Sequence, residues 1–434
     1  MKNILLISHN ALSFQGNNGK TLASIFADWE SECFAQIYFN NEVPESSRFK
    51  KFFRFSELDI LRGFVGLSVW RGCGSPVRPQ TVSLVVNGNS SFVKAAISSF
   101  VKNRMSLKLL LREFFFAGSS RFLGRMEEWI RRFRPDSIFF VGGNSVFSFR
   151  ISHSIARKLR IPIDIYITDD YVLYPKPAGL VGRWLLARLR QVYRESFKDA
   201  RHVFVIGDEM ASAFAGEFNR SFVPVMNSVV VPDCFPRSNL ELQTPGVADF
   251  VYAGGLHLGR WESLVRFGAL LRDVSDQFGV RATLTVHAVQ MPESDVMNVF
   301  KENGVIFGGA LDSEAVVRRF QQADFVLHVE SFDRDFASMT KLSVSTKIPE
   351  YLASGACVVG FGPSDLASIR LISENAIGVT LTEEDSASSM VNKLGTLLMS
   401  SAFRHELSVA GFNYAKTMFS ADVVRSKVES LLNY

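Results

Sequence analysis

The sequence predicts an α/β protein built from two doubly wound, parallel-sheet domains, and three observations carry that expectation. At 434 residues the chain exceeds one ordinary core. Short apolar runs alternate with helix-length amphipathic segments on both sides of a proline-bearing stretch, as βαβ units do. Predicted strands also end in glycine turns, as at Val141-Gly142-Gly143 and Ala253-Gly254-Gly255, where such sheets bind ligands.

Hydrophobic residues at 47% and charged residues at 21% are a globular balance, which excludes disordered and membrane-spanning classes. No apolar run approaches the roughly 18–20 residues of a membrane span. Cys33, Cys73, Cys234 and Cys357 are scattered without C-x-x-C spacing, which argues against a zinc site or disulfide framework and for a reducing cytoplasm. A net charge of +5 asks for an anionic partner.

In chain order, Ile4 to Ile7 is a first buried strand; the apolar segment of Met1 to Asn10 is too short for a secretory leader. Ser13 to Gly19 is a polar loop, Thr21 to Ala27 begins an amphipathic helix, and Gln36 to Phe39 returns as strand. The loop Gln15-Gly16-Asn17-Asn18-Gly19-Lys20 therefore sits at the carboxyl end of strand one. It is not a P-loop, because Phe14 occupies the position of the first glycine.

Between Lys94 and Arg134, ten basic residues face three acids, Glu113, Glu127 and Glu128, among bulky side chains such as Phe114, Phe115, Phe116 and Trp129. That mixture describes a surface for anionic lipid headgroups. It equally describes core helices with solvated basic faces. For nucleic acid there is charge without a motif.

Ser137 to Val141 is a strand ending in Gly142-Gly143-Asn144, Phe149 to Leu159 a helix, and Pro162 to Thr168 the next strand. Asp169, Asp170 and Tyr171 stand at its carboxyl tip, a ligand-binding position. A carboxylate there also serves to cap a following loop. A basic helix (Arg183 to Arg194), a strand (His202 to Ile206), a helix (Asp208 to Phe218) and a strand (Ser221 to Val225) complete the first domain, 1–225. Residues 226–247, with Pro232, Pro236 and Pro245, read as a linker.

The second domain opens with a strand from Asp249 into Gly254-Gly255, and Arg260 begins a helix that runs to Phe278. The glycines permit close backbone approach, and an arginine at a helix start can hold phosphate bidentately. Strand Ala282 to His287, helix Glu293 to Glu302, strand Val305 to Phe307, helix Ser313 to Gln322 and strand Phe325 to Val329 follow, then a polar loop from Glu330 to Val344. In Ser345-Thr346-Lys347-Ile348-Pro349-Glu350-Tyr351-Leu352-Ala353-Ser354-Gly355, Ser345 or Thr346 offers an N-cap hydroxyl, Pro349 falls in the first turn and Gly355 stops the helix. Free N–H groups and Lys347 make an anion site at its start, and Glu350 can accept hydrogen bonds from a sugar diol. A capped core helix whose glutamate balances the dipole would be spelled the same way. A strand from Cys357, a helix from Ser364 to Glu374, a strand from Ile377 to Leu381 and helices from Asp385, Ala402 and Ala421 finish the chain.

The stretch from Ser345 to Gly355, followed by its short hydrophobic strand, resembles the nucleotide-sugar-binding helix of GT-B glycosyltransferases, especially glycosyltransferase family 4 and its bacterial polysaccharide relatives. The resemblance implies two Rossmann-like domains facing a cleft: an acceptor domain (1–225), a nucleotide-sugar domain (248–418), and a last helix (419–434) that returns to the first. It implies that Glu350 binds the ribose hydroxyls, and that Thr346, Lys347, Gly254, Gly255 and Arg260 hold the diphosphate. Gly309, Ala310 and Leu311 would read the base. Gly19 would lie against the donor phosphates, with Asn18, Lys20 and Tyr171 on the acceptor side. Asp169 or Asp170 would orient or deprotonate the acceptor hydroxyl, giving a catalytic set of Asp169, Asp170 and Glu350.

Two departures stand out. The family often has a histidine where this chain reads Thr168-Asp169-Asp170-Tyr171. Its E-x7-E signature needs an acid eight residues before Glu350, and that residue is Leu342; Glu330, Asp333 and Asp335 are alternative carboxylates. The expected activity is hexosyl transfer from a nucleotide diphosphate-sugar to a hydroxyl of a glycan or lipid-linked glycan, in capsule or lipopolysaccharide O-antigen assembly. It would take place in the cytoplasm or at the inner face of the membrane, without metal, cofactor or nucleic acid. A nucleotide-sugar epimerase and a non-catalytic scaffold share the fold as alternatives.

Overall fold

A computed structural model describes residues 2–13, 17–60, 73–80, 109–116, 124–177, 179–237, 241–242, 244 and 246–433. The chain divides into two compact units, Met1–Val225 with Arg425–Tyr434, and Met226–Val424. Residues 226–247, read from sequence as a linker, thus group with the second unit.

The first unit holds a sheet of eight strands: β1 (Ile4–Ser8), β2 (Phe34–Tyr38), β3 (Phe52–Arg54), β4 (Ser75–Val77), β5 (Ser137–Gly142), β6 (Ile163–Ile167), β7 (Val203–Val205) and β8 (Val223–Pro224). Their order is β4-β3-β2-β1-β5-β6-β7-β8. All pairs are parallel except β3 with β4, which adds an antiparallel edge. Every residue of β1, β2, β5 and β6 is buried, because helices cover both faces and the strands read as continuous apolar runs. The order reverses between β1 and β5, whose registers meet at Ile4 and Ser137.

Two described pieces of the basic stretch are helices, one packed on the core along its length and one that reaches it through Phe116 while Leu111 and Phe114 are exposed. Gly124–Phe133 buries Met126, Ile130 and Phe133 and turns Arg131 and Arg132 to solvent. In helix 109–116, Phe116 is buried and stacks on Phe147 with ring centroids 3.8 Å apart. Lys94, Lys102, Arg104, Lys108 and Arg121 lie outside the described residues.

The second unit is fully parallel, with β9 (Val247–Ala253), β10 (Arg281–His287), β11 (Val305–Gly309), β12 (Phe325–Val329), β13 (Cys357–Phe361) and β14 (Val379–Leu381). The order β11-β10-β9-β12-β13-β14 is that of a doubly wound nucleotide-binding sheet. Phe250 of β9 stacks on Phe325 of β12 at 4.3 Å, sealing the centre where the winding reverses.

Two local expectations are corrected. The polar segment after β12 contains a helix, Arg334–Thr340, because the Asp333 carboxylate accepts the N–H groups of Asp335 and Phe336 as an N-cap. In helix Ile348–Ala353 the cap position is held by Lys347 in a helical conformation, and the Ser345 hydroxyl acts one turn earlier, accepting the Lys347 N–H at 3.4 Å. The Ser345 carbonyl closes the preceding turn by accepting the Ile348 N–H at 3.1 Å. Pro349 does fall in the first turn. Gly355 ends the helix at φ +73, with the Pro236 ring 2.8 Å from where a Cβ would stand.

The last helix, Ala421–Asn433, is joined to the one before it by a π-turn over Ala415–Phe419. From Arg425 onward it belongs to the first unit, where Arg425 pairs with Asp28 at 2.6 Å and Lys427 donates to the Pro224 carbonyl at 2.7 Å.

Candidate functional site

The second unit places a buried polar cluster at the carboxyl ends of β9 and β12, where the strand order reverses. After β9 the chain bends through Leu258 (φ 57) and Gly259 (φ +71), both left-handed. A Cβ on Gly259 would stand 2.5 Å from Ser331 Oγ, so only glycine lets this turn press against the segment after β12. That contact delivers Arg260, the first residue of the following helix, to Glu330. Arg260 Nη2 lies 3.2 Å from Glu330 Oε1 and 3.1 Å from Oε2. Glu330 is 4% exposed. Burial pushes its carboxyl above the usual carboxylate range, while Arg260 and the Thr340 hydroxyl pull the other way.

His328 precedes Glu330 by two residues, and its Nε2 stands 3.5 Å from Glu330 Oε1 without a hydrogen bond. Despite that carboxylate, burial and then the Arg260 charge push the imidazole down to about 3, so it is neutral. Buried Tyr252 donates to the Gly255 carbonyl at 2.7 Å, holding the glycine turn closed. Burial pushes the Tyr351 phenol well up, and the charges of Glu350, Arg260 and Glu330 all bear on it. Tyr351 of helix Ile348–Ala353 thus lies within electrostatic reach of the Arg260–Glu330 pair. Glu350 and Lys347 are half-buried, as is Thr346 in the turn leading in.

At the tips of β10 and β11, Gly309 (φ +75) accepts from the Ala288 N–H at 3.2 Å and lies 3.2 Å from His287 Nδ1. Ala310 beyond it is exposed and Leu311 half-buried. Leu342, where a carboxylate was expected from the resemblance, is 4% exposed and belongs to the core. Of the alternative acids, Glu330 is committed to Arg260 and Asp333 to its helix cap.

The first unit has its own cavity, of about 180 Å³, at the tips of β1 and β5, again where the winding reverses. His9, Asn10, Asn40, Arg112, Asn144 and Tyr171 line it. Gln36 braces the β1 tip, donating to Ser8 Oγ and the Asn10 carbonyl and accepting the Leu12 N–H. Neither ring nitrogen of His9 has a partner among the described residues. Burial, then Arg112, pushes the ring down to about 3. Arg112 is fixed by Glu57 at 2.5 Å and Asn40 at 3.1 Å.

Asp169 accepts from the Tyr171 hydroxyl at 3.3 Å and from Thr168 Oγ1 at 3.2 Å. Asp170 is buried and accepts three backbone N–H groups, of Val172, Leu173 and Tyr174, at 2.8 to 2.9 Å. Gly19 packs against the backbone of Ser13. Asn18 and Lys20 belong to helix Asn17–Ile25, and their side chains, with Gln15 and Gly16, lie outside the described residues.

Sequence reading missed His9, Asn40, Arg112 and His328. His328 had a usable signal: residues two apart at a strand end share a face, so His328 and Glu330 point the same way.

No protein-family model and no curated protein matches the sequence. Solved structures do. The crystal structure of TarM matches with a TM-score of 0.60 at 10% identity, over 100% of this chain and 99% of that one. An α,α-trehalose-phosphate synthase (UDP-forming) from Burkholderia vietnamiensis matches with a TM-score of 0.60 at 12% identity, over 100% and 99%. A mutant of S. aureus TarM in complex with fondaparinux, α-GlcNAc-glycerol and UDP matches with a TM-score of 0.51 at 12% identity; 72% of this chain is covered and 59% of that one. The fold is therefore that of the GT-B glycosyltransferases, two parallel-sheet α/β domains in one chain. At these identities the likeness defines the architecture, and the chemistry rests on the residues.

Proposed function

We propose that this chain is a glycosyltransferase that moves a sugar from a nucleotide diphosphate-sugar to a hydroxyl of a glycan or lipid-linked glycan acceptor. The observation that carries the reading is the Arg260–Glu330 pair at the reversal point of the second sheet. In a GT-B protein this is the crevice outside the strand ends. Arg260, Lys347 and the N–H groups around Gly254, Gly255 and Thr346 hold the diphosphate, Glu350 takes the ribose hydroxyls, and Gly309, Ala310 and Leu311 meet the base. The departing diphosphate gains charge as the glycosidic bond breaks, and these fixed donors stabilise it without a dedicated metal. Asp169 orients the acceptor hydroxyl and takes its proton, since the Asp170 carboxylate is occupied by three backbone N–H groups. The UDP complex of the TarM mutant and the UDP-forming trehalose-phosphate synthase support a UDP-sugar as the first donor to try.

For the acceptor and its setting, charge supports an anionic partner and the family resemblance around Glu350 supports a glycan. A chain of net charge +5 suits a phosphate-bearing, lipid-linked acceptor of bacterial surface-polysaccharide assembly at the cytoplasmic face of the membrane. Among the described residues, no helix is long and apolar enough to cross a membrane.

Thermal denaturation with UDP-, GDP-, ADP- and CMP-sugars tests the donor site. A ligand at 100 times its dissociation constant adds about 2.7 kcal/mol of stability. One nucleotide series should stabilise the wild type and fail on Glu350→Ala. Stabilisation by no member overturns the reading in favour of a non-catalytic scaffold, and equal stabilisation of the variant removes Glu350 from the donor site.

A further inference from the structure

The helix Gly179–Asp199 is built in two unlike halves. Its buried residues are Gly182, Leu189, Val192, Tyr193, Ser196 and Phe197, so nearly all of its core contact comes from the second half. The first half carries large apolar side chains into solvent: Leu180 is 77% exposed, Trp184 49% and Val181 45%. Tyr174, in the loop leading to the helix, is 39% exposed. Exposed apolar groups gathered in one place mark an interaction surface.

Charge says what covers it. From Tyr171 to Arg194 the sequence has five bases, Lys176, Arg183, Arg188, Arg190 and Arg194, and no acid. Arg183 is exposed beside Trp184, and the Arg188 guanidinium stands 4.9 Å over the Trp184 ring. An indole flanked by arginines, with leucine and valine one turn away, is the composition of a helix that lies in a bilayer interface, with its bases on anionic headgroups.

We propose that the first two turns of this helix, with Leu180, Val181 and Trp184 inserted and Arg183 and Arg188 at headgroup level, dock the first unit on an anionic lipid bilayer. The patch is held firmly to the cavity at the strand tips. Arg190 donates to the carbonyls of Val172 and Leu173, Asp170 fixes the N–H groups of the same loop, and Tyr171 at its start lines the cavity. A lipid-linked acceptor would therefore present its glycan beside Asp169; that last step rests on the proposed transferase reading, whereas the docking does not.

Co-sedimentation of the full chain with phosphatidylglycerol vesicles, against phosphatidylcholine vesicles, tests the docking. The wild type should bind phosphatidylglycerol and be released by salt. Leu180→Ser/Trp184→Ser should lose about tenfold in binding, as should Arg183→Glu/Arg188→Glu, with melting temperatures little changed because Leu180, Arg183 and Trp184 are exposed and Arg188 is half-buried against Trp184. Undiminished binding by both variants, or no preference for phosphatidylglycerol, overturns the proposal. So does a wild-type dimer in sedimentation velocity that Leu180→Ser/Trp184→Ser dissolves, since a second copy would then cover the patch. Nucleotide-sugar stabilisation, measured on the same variants, reports the donor site separately, so either reading can fail alone.

Discussion

Arg260 and Glu330, 70 residues apart in sequence, meet with one guanidinium nitrogen on both carboxylate oxygens, at 3.2 and 3.1 Å. One follows β9 and the other follows β12, so the pair joins the two halves of the second sheet at its reversal point. Glu330 and the neutral His328 beside it are both buried, so removal of one charge of the pair strands the other.

Glu330→Ala should therefore lower unfolding stability by about 3 kcal/mol, the cost of an uncompensated buried charge, and Arg260→Ala by a similar amount. Arg260→Met/Glu330→Leu should cost less than the sum of the single changes. Urea unfolding of the four proteins gives the coupling directly, and additive losses would mean that the pair does not act as a unit.

Acid should destabilise the protein through its buried histidines. Folded His328 stays neutral down to about 3, whereas an unfolded histidine takes up its proton near pH 6.5. Between those values the unfolded state binds the additional proton, so stability falls as pH falls. From pH 6.5 to pH 5 the loss is about 2 kcal/mol for His328, and His9 adds a comparable slope in the first unit. His328→Gln should remove its share of that slope in unfolding curves recorded across this range.

Two glycines separate strain from collision. Gly279 has φ +68 and open space where a Cβ would go, so Gly279→Ala should cost about 1 kcal/mol. Gly259 has φ +71 and Ser331 Oγ only 2.5 Å from that Cβ, with Phe336 behind it. Gly259→Ala should cost about 3 kcal/mol and weaken nucleotide-sugar stabilisation, because the turn carries Arg260. Denaturation with and without nucleotide distinguishes the two.

The adjacent aspartates should behave differently. Asp170→Ala orphans three backbone N–H groups and should lower stability by about 2 kcal/mol or more. Asp169→Ala leaves those three N–H groups capped, so it should cost less stability than Asp170→Ala while transfer to acceptor falls. Stability and turnover measured on both variants check the assignment.

Much of this architecture could be read from local pattern. The helices Asp208–Phe218 and Ser313–Gln322 and the strand Phe325–Val329 fall where periodicity alone puts them, because buried parallel strands are continuous apolar runs and their connecting helices repeat near every third or fourth residue. The helix Arg334–Thr340 was not legible: its polar composition reads as loop until the Asp333 cap is seen. Glycine spelling marked the turn at Gly254-Gly255, but not the need for glycine at Gly259, which depends on Ser331 from another strand.

The sequence by itself determined the α/β class, the two-sheet division of the chain and the short motif around Glu350, because each rests on contacts between near neighbours. Only the tertiary structure decided that one nitrogen of Arg260 pairs with Glu330, that Asp170 is a loop cap, that Leu342 is core, and that His9 and Arg112 share a cavity. Those facts depend on which strand ends lie side by side after the winding reverses, and strand order is a long-range property that no local spacing encodes.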